Sequence, residues 1–348
     1  MSGIIKKKLL LLTFDYELFL GDKSGSVDAC LIKPTDHLIK ILNRYNTKAI
    51  FFVDTTYLIR LKEVANKYES AGKDFESIKN QIVNLIVTGH SVFPHIHPHW
   101  FDAKYDEQTN EWSLKDFTKY RFSSINNEQR TFLFEESINI LNDIIRPVKP
   151  DYKIDSYRAG GWSIQPFNNF KPYFEKYEIV NDFSVIPGKY NVSTAHVFDF
   201  RNAPVKNIYR FNEDITKEFE NGSFKEFTIS SITLSKLMVW FNFKIRGLLK
   251  RLKIKPYGNG TTVNSSVIEE EDIQSVNGKR LVASFEGLTF ITLSKYITAI
   301  KKSNYFQFIS HPKLLTRHEL WLLNILLSKL KKMDIETDLK KLPAITND

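Results

Sequence analysis

The sequence predicts an α/β fold in which buried strands alternate with amphipathic helices. Short apolar runs at 9–14 and 49–53 have the length and composition of buried strands, and residues 35–45 between them have the periodicity of a helix. A strand, a helix and a second strand in this order form a βαβ unit, which places the strands parallel in one sheet. A chain of 348 residues can form one barrel-type domain. The alternation favours a barrel or a doubly wound sheet.

The remaining elements follow the same alternation along the chain. In the first helix, Thr35 or Asp36 is the expected N-cap, and one face is expected to carry Leu38, Ile39, Ile41, Leu42 and Tyr45. The later pattern predicts helices at about 57–70 and 74–88, a strand entering 91–99, a long helix ending before Pro147, strands near 154–158, 179–185, 282–285 and 306–310, and a terminal helix from about 315.

Composition excludes several classes of protein. The hydrophobic fraction of 42% is too high for a disordered chain, and the single cysteine, Cys30, cannot form an internal disulfide. The apolar run at 9–12 is too short for a signal peptide, and no stretch has the roughly 18 apolar residues of a membrane span. We therefore expect a soluble cytoplasmic protein.

A basic segment at 236–255 differs from the rest of the chain. It contains seven Lys or Arg residues, no acidic residue, and several aromatic and aliphatic side chains. A basic amphipathic helix can lie on an anionic membrane surface or bind an acidic polymer. Alternatively, its apolar face packs on the domain and its cations are simply solvated. The net charge of +9 is not accompanied by a nucleic-acid recognition motif, so we expect no nucleic-acid partner.

Four of the eight histidines lie within ten residues, in GHSVFPHIHPHW: His90, His95, His97 and His99. Neutral imidazole is the commonest metal ligand in proteins, so this density predicts a metal site. Two backbone geometries are possible. An extended chain would place His95, His97 and His99 on one side, whereas a helical turn would bring His95 and His99 together. Pro98 suits the first turn of a helix.

Further polar residues follow other predicted strands. Asp15 and Glu17 end the first strand in TFDYE, Arg158 ends IDSYR, and His311 follows FQFIS. Carboxyl ends of strands form the face where α/β proteins place their active sites. Two histidines and a carboxylate can hold a metal with an open position for water, while a second carboxylate acts as base and a histidine as acid. The residues therefore predict metal-assisted hydrolysis, with the arginine keeping the base ionised.

Taken in order, these motifs resemble those of the polysaccharide deacetylase (NodB-homology) family. TFDYE resembles the first motif, GHSVFPHIHPHW the second, SYRAGGW the third and ISHP (309–312) the last, and the resemblance spans roughly residues 8–320. It implies a distorted (β/α) barrel, here one domain over 1–348 with a basic insertion at about 230–260. It also implies removal of an N- or O-acetyl group from a sugar, in a polysaccharide or its precursor.

The resemblance also implies roles for individual residues. Asp15 would be the base, His95 and His99 the ligands of one divalent metal, Arg158 the partner of the base, and His311 the acid. The family's second aspartate is replaced by Tyr16, and Glu17 is the expected substitute ligand; alternatively, Asp15 binds the metal and the base is lost. Zinc is the expected ion, with iron, cobalt or nickel as alternatives.

Substrate contacts are expected from aromatic and polar residues near the motifs. Trp100, Trp112 and Trp162 could stack on sugar rings, and Asp182 lies in NDFSV, which resembles a groove-lining motif. His97 is expected behind the metal ligands, near a substrate hydroxyl, or in plain packing. Two other functions stay open. One is a glycan-binding relative without catalysis, and the other is an amidase acting on a small amide.

Overall fold

A computed structural model describes residues 7–114, 118–262, 267–271 and 278–341 of the chain, with backbone alone for 267–271. The first half contains β1 (Lys8–Tyr16), α1 (Lys33–Arg44), β2 (Ile50–Asp54), α2 (Thr55–Ala65), α3 (Glu69–Val87), β3 (Ser91–Ile96), β4 (Lys104–Asp106), β5 (Glu111–Ser113), α4 (Asn127–Ile145), β6 (Ser156–Ala159), α5 (Lys171–Lys176) and β7 (Asn181–Asp182). The second half contains β8 (Tyr190–Ser193), β9 (Val197–Asp199), β10 (Ile208–Phe211), β11 (Phe224–Phe227), β12 (Ser231–Ser235), α6 (Lys236–Arg251), β13 (Val267–Glu271), β14 (Gly278–Val282), α7 (Phe290–Lys302), β15 (Tyr305–Ser310), α8 (Arg317–Leu330) and β16 (Ile335–Glu336).

The main sheet has the strand order β10-β11-β7-β6-β3-β2-β1-β15, with β16 paired to β1. All pairs of adjacent strands from β15 to β11 are parallel, and only β10 pairs antiparallel, with β11. The predicted βαβ unit is confirmed as β1-α1-β2. Its strands are buried on both faces, and α1 turns Leu38, Ile39 and Leu42 inward, as parallel sheets covered by helices require.

Irregular backbone segments close the sheet into a distorted barrel. After β7, the carbonyl of Val185 accepts a hydrogen bond from Ile229 N at 2.9 Å, and the next residue, Ser230, donates its N–H to Gln307 of β15 at 3.3 Å. The Ser230 carbonyl also accepts from Ala283 N at 2.8 Å. Residues 229–230 therefore bridge the two sides of the sheet without forming a regular strand between them. The prediction of a distorted (β/α) barrel is confirmed.

The region between β7 and α7 departs most from the predicted alternation. Short antiparallel pairings replace the expected βα repeats, with β13-β8-β9 in one small sheet and β12-β14 in another. The strand predicted at 179–185 is limited to Asn181–Asp182, and the strand predicted at 282–285 overlaps the observed strand Gly278–Val282 in one residue only. The organisation as a single domain over 1–348 stays a prediction. No helix in the described ranges combines the length and apolarity needed to cross a bilayer.

Two acidic side chains meet inside the barrel wall. Asp182 of β7 and Glu226 of β11 are fully buried and lie opposite each other in the strand register. Burial raises the pKa of Asp182 to about 6. Burial and the nearby Asp182 charge raise the pKa of Glu226 well above its ordinary value. Burial and the neighbouring carboxyl group therefore both favour the protonated form of Glu226 in the folded protein.

Replacing Glu226 with glutamine should stabilise the protein at alkaline pH. A group with a raised folded pKa contributes stability below its unfolded pKa, near 4.3, and this contribution is lost as pH rises. Glutamine stays neutral, and its carbonyl can still accept the hydrogen bond that Val185 N donates to Glu226 at 2.9 Å. We expect E226Q to be more stable than the wild type by about 1 kcal/mol or more at pH 8, with little difference at pH 4.5. Urea unfolding at both pH values measures this, and equal stability at pH 8 would contradict it.

Candidate metal centre and active site

The polar residues singled out in the motifs lie at the carboxyl ends of adjacent parallel strands. Asp15 is next to last in β1, His95 is next to last in β3, and Arg158 lies near the end of β6, paired in register with His95. His311 directly follows β15, which pairs with β1. Because parallel strands end at the same edge of the sheet, four segments distant in sequence bring these side chains into one site.

Asp15 and Arg158 form a buried ion pair. Nη1 of Arg158 donates to Asp15 Oδ1 at 2.6 Å, and Nη2 donates to Thr13 Oγ1 at 2.7 Å. The guanidinium also donates a hydrogen bond from Nε to the Phe183 carbonyl oxygen at 3.0 Å. Burial favours the neutral acid, but the Arg158 charge outweighs it and lowers the pKa of Asp15 below its ordinary value. Asp15 is therefore an ionised carboxylate held in one orientation.

Glu17 faces two imidazoles across the cavity floor. Its Oε2 lies 2.8 Å from His97 Nε2 and 3.3 Å from His95 Nε2, and the two imidazole nitrogens are 3.0 Å apart. The ligand atoms of all three residues lie within 4.8 Å of one another. Tyr16 points the other way, where its hydroxyl donates to Gln81. Strand alternation therefore turns Asp15 and Glu17 to one side and the residue between them to the other.

The backbone orients both imidazoles. Nδ1 of His95 lies 2.9 Å from the Arg158 carbonyl, which fixes the ring with Nε2 toward Glu17. The ring of His97 packs against Gly160, where an added Cβ would come within 2.9 Å of Nδ1 and 2.4 Å of the Ile96 carbonyl. A side chain larger than glycine would displace His97. The glycine that follows Ala159 in RAGGW is thus needed for the position of His97.

His99 lies apart from the group formed by Glu17, His95 and His97. Its ring stacks on Tyr120 with a centroid separation of 5.2 Å, and neither ring nitrogen has a hydrogen-bond partner among the described residues. The chain is extended through His97 and then enters a 3-10 helix at Pro98–Asp102, so His95 and His97 share a side and His99 is turned away. The sequence motifs implied Glu17, His95 and His99 as ligands, whereas the structure groups Glu17 and His95 with His97.

The observed group has the properties that a divalent cation requires. Glu17 Oε2 is buried and receives no well-aligned hydrogen bond within the described part of the chain. Burial lowers the pKa of His97 to about 4, so its imidazole is neutral and can act as a ligand. Donors bound at about 2.0–2.1 Å in a tetrahedral site lie about 3.3 Å from one another, close to the observed separations. The three side chains therefore fit a zinc-like ion.

His311 stands on the opposite side of the carboxylates. Its Nδ1 lies 2.7 Å from Glu286 Oε1, and its Nε2 lies 3.7 Å from Asp15 Oδ2 and 3.5 Å from Glu17 Oε1. Burial disfavours the imidazolium, but the charge and hydrogen bond of Glu286 outweigh this effect and raise the pKa of His311 to about 9. His311 is therefore protonated at neutral pH, with Nε2 directed toward the site.

Lys313 is a buried site residue that the sequence motifs did not indicate. Its Nζ donates to Glu17 Oε1 at 2.8 Å and to the Leu18 carbonyl at 2.6 Å. Burial favours the neutral acid of Glu17, but Lys313 and the imidazoles of His95 and His97 outweigh it and hold the pKa of Glu17 well below its ordinary value. Because Lys313 occupies Oε1, it leaves Oε2 free to face the imidazoles.

An open cavity of about 270 Å³ gives access to these groups. Asp15, Glu17, His95, His97, His311 and Lys313 line it, together with Phe19, Leu20, Tyr120, Gly161, Trp162, His196, Thr262 and Leu314. Of the residues expected to contact substrate, only Trp162 and His97 line this cavity. Trp100 and Asp182 do not line it, because the Trp100 indole donates to Asp54 inside the core and Asp182 is enclosed beside Ser184.

Three lining or supporting residues were not anticipated from the sequence. Tyr120 and His196 pack edge to face with a centroid separation of 5.1 Å, and Glu286 holds His311. No local motif marks Tyr120 or His196, which reach the cavity from loops.

For Lys313, the only available signal in the sequence was its position two residues after His311.

No family model matches the sequence, and neither does any curated protein. Among solved structures, the chain is similar to a candidate polysaccharide deacetylase from Mycobacterium smegmatis, with 13% identity, 96% of this chain and 88% of that chain covered, and a TM-score of 0.48. It is also similar to a polysaccharide deacetylase from Bacillus cereus, with 12% identity, coverage of 95% and 91%, and a TM-score of 0.39. A third is the catalytic domain of a peptidoglycan N-acetylglucosamine deacetylase from Eubacterium rectale, with 12% identity, coverage of 97% and 90%, and a TM-score of 0.38.

Proposed function

We propose that this chain belongs to the polysaccharide deacetylase family and is a metal-dependent hydrolase that removes an acetyl group from an N-acetylated sugar. One observation carries the proposal. The ligand atoms of Glu17, His95 and His97 converge in an open cavity, with the Asp15 carboxyl group on one side and the His311 imidazole on the other. Metal-assisted amide hydrolysis uses such a combination of a cation site, a base and an acid.

Glu17, His95 and His97 would hold the cation. Two imidazoles and a carboxylate suit zinc, and also iron, cobalt or nickel. When bound there, a divalent ion supplies Lewis-acid polarisation of the acetyl carbonyl and lowers the pKa of water at the site. Lys313 keeps Glu17 in position through its hydrogen bond to Oε1. The chain thus provides three ligands and leaves the cavity side open for water and substrate.

Asp15 acts as the base in this proposal. Oδ1 is occupied by Arg158, whereas Oδ2 is directed toward His311 and the cavity. The arginine keeps the carboxylate ionised and fixes its orientation, so Oδ2 can accept a proton from water that attacks the acetyl carbon.

His311 acts as the acid. Its raised pKa of about 9 keeps a proton on the ring at neutral pH, and Glu286 fixes the ring through Nδ1. Nε2 can therefore donate a proton to the departing sugar nitrogen, which completes cleavage of the carbon–nitrogen bond.

A sugar substrate fits the shape and composition of the cavity. Trp162 is half-buried at the cavity wall, and the Lys189 ammonium lies 5.2 Å from its ring centroid. Tyr120 adds a second aromatic surface near His97. Aromatic faces beside polar groups suit pyranose rings, whose CH groups pack on aromatic rings while their hydroxyls form hydrogen bonds.

Acetate release from N-acetylated oligosaccharides tests the proposal directly. We expect purified protein loaded with zinc or cobalt to release acetate from at least one member of a panel of N-acetylglucosamine oligomers. Chelation should abolish release, and added metal should restore it, because the cation supplies several kcal/mol of transition-state stabilisation. O-acetylated sugars and small amides in the same panel report the alternative reactions. A protein that demonstrably binds metal and releases no acetate from any acetylated sugar would contradict the proposal.

A further inference from the structure

Helix α6 presents large apolar side chains to solvent. Exposed fractions between 46% and 73% are found for Leu237, Trp240, Phe241, Phe243, Leu248 and Leu252. Scattered single apolar residues are common on protein surfaces, but six within one helix and its C-cap form a contiguous surface. We call these six residues the α6 apolar surface.

The exposed residues of α6 are arranged in adjacent stripes. Leu237, Phe241, Leu248 and Leu252 follow one another at intervals of four, seven and four residues, which places them along one side of the helix. Trp240 begins the neighbouring stripe, where the Lys244 ammonium lies 5.4 Å from the centroid of a ring of the Trp240 side chain. Cationic and apolar side chains are therefore side by side on the outward half of the helix.

The charge of this segment is strongly positive. Residues 236–255 contain seven Lys or Arg and no Asp or Glu. No carboxylate of the side chains that the structure describes forms an ion pair with any of these seven cations. The acidic residues at 269–271 belong to β13, whose backbone pairs with β8.

The inward side of α6 attaches the helix to the barrel. Asn242 is the one buried residue of α6, and its Oδ1 accepts a hydrogen bond from Thr289 Oγ1 at 2.7 Å. Phe290, which follows Thr289 in the sequence, is 52% exposed, and its ring contacts that of the half-exposed Trp321 at a centroid separation of 5.5 Å. Exposed aromatic side chains are therefore also present on α7 and α8.

We propose that α6 docks on the surface of an anionic lipid bilayer. Aromatic and aliphatic side chains would enter the region between headgroups and acyl chains, while neighbouring cations extend to the lipid phosphates. A dry interface with a second copy is disfavoured, because it would bury unpaired cations and bring together two chains that each carry a net charge of +9. The six residues of the α6 apolar surface do not line the cavity, so docking can be tested independently of hydrolysis.

Co-sedimentation of the full chain with vesicles tests this proposal. Vesicles of equal parts phosphatidylglycerol and phosphatidylcholine should pellet the protein, whereas pure phosphatidylcholine vesicles should not. High salt should weaken binding because it screens the attraction between cations and phosphates. We expect W240S/F243S and K244E/R251E each to reduce binding by about tenfold or more. Matched controls are V205S/F219S and K301E/K302E, which change exposed residues outside α6 and should bind like the wild type.

Three results would overturn the proposal. The first is no pelleting with anionic vesicles at low salt. The second is binding that the two α6 variants leave unchanged, which would assign it to another surface. The third is a dimer in sedimentation velocity that W240S/F243S converts to monomer, which would make a second copy the occupant of α6. Far-UV circular dichroism of each variant verifies that the fold is retained.

Discussion

Replacing Asp15 with asparagine should lower the rate of acetate release by about a thousandfold, the usual contribution of a positioned general base. In the wild type, Arg158 donates a hydrogen bond to Asp15 at 2.6 Å. The asparagine side-chain oxygen can still accept this bond, but asparagine cannot take a proton from water. Because the buried Arg158 charge would lose its counter-ion, stability should also fall, by about 3–5 kcal/mol. Steady-state kinetics together with urea unfolding separate the two effects, provided that rates are measured where the variant is folded.

The matched control for D15N is Asp54→Asn. Asp54 is also a buried aspartate at the end of a strand, β2, and it accepts hydrogen bonds from Trp100 Nε1 at 2.6 Å and Tyr57 N at 3.2 Å. It does not line the cavity, and burial together with the Glu17 charge raises its pKa to about 7. D54N should change the rate by less than about tenfold. If D15N and D54N reduce the rate equally, Asp15 is not the base.

Removing the His97 imidazole should weaken cation binding by about 100-fold or more, whereas removing the His99 imidazole should have little effect. The reason is geometric, since His97 Nε2 lies 2.8 Å from Glu17 Oε2 and the His99 ring stacks on Tyr120 instead. Competition between each variant and a chromophoric chelator for zinc measures the affinity. H97A and H99A are closely matched, because both remove a buried imidazole from the same short segment.

The opposite ranking of these two variants would support the ligand spacing implied by the sequence motifs. If H99A loses the cation and H97A retains it, the observed side-chain grouping does not describe the metal-bound protein. Loss of binding in both variants with normal thermal unfolding would make both residues ligands. Each result therefore assigns the two histidines separately.

The alternation of strands and helices could be predicted because it depends on local pattern. The apolar runs at 9–14 and 49–53 became β1 and β2, and the helix between them began two residues earlier than expected. The positions of Asp15, Arg158 and His311 after buried strands were likewise sufficient to expect them at one edge of the sheet. The local sequence pattern was therefore sufficient to predict most of the parallel part of the barrel.

The choice between His97 and His99 depended on where the extended backbone ends. Both an extended and a helical geometry suited the segment, and the structure combines them, with β3 ending at Ile96 and a 3-10 helix beginning at Pro98. The side chains of His95 and His97, two residues apart, therefore both face Glu17. A boundary shift of two residues changes the ligand set, and boundaries are the least predictable feature of an element.

Contacts between distant segments could not be inferred from pattern at all. Lys313 reaches Glu17 across 296 residues of sequence, and Glu286 holds His311 from a loop before α7. The antiparallel strands between β7 and α7 were missed for a similar reason, because their stability depends on pairing partners rather than on their own periodicity. Tertiary context decides such features.

Anomalous scattering from a zinc-loaded crystal would locate the cation and its ligands in one experiment. We expect one peak at about 2.0–2.3 Å from His95 Nε2, His97 Nε2 and a Glu17 oxygen, with the remaining coordination position open to the cavity. A peak bound by His99 in place of His97, or zinc located away from Glu17, would contradict this expectation.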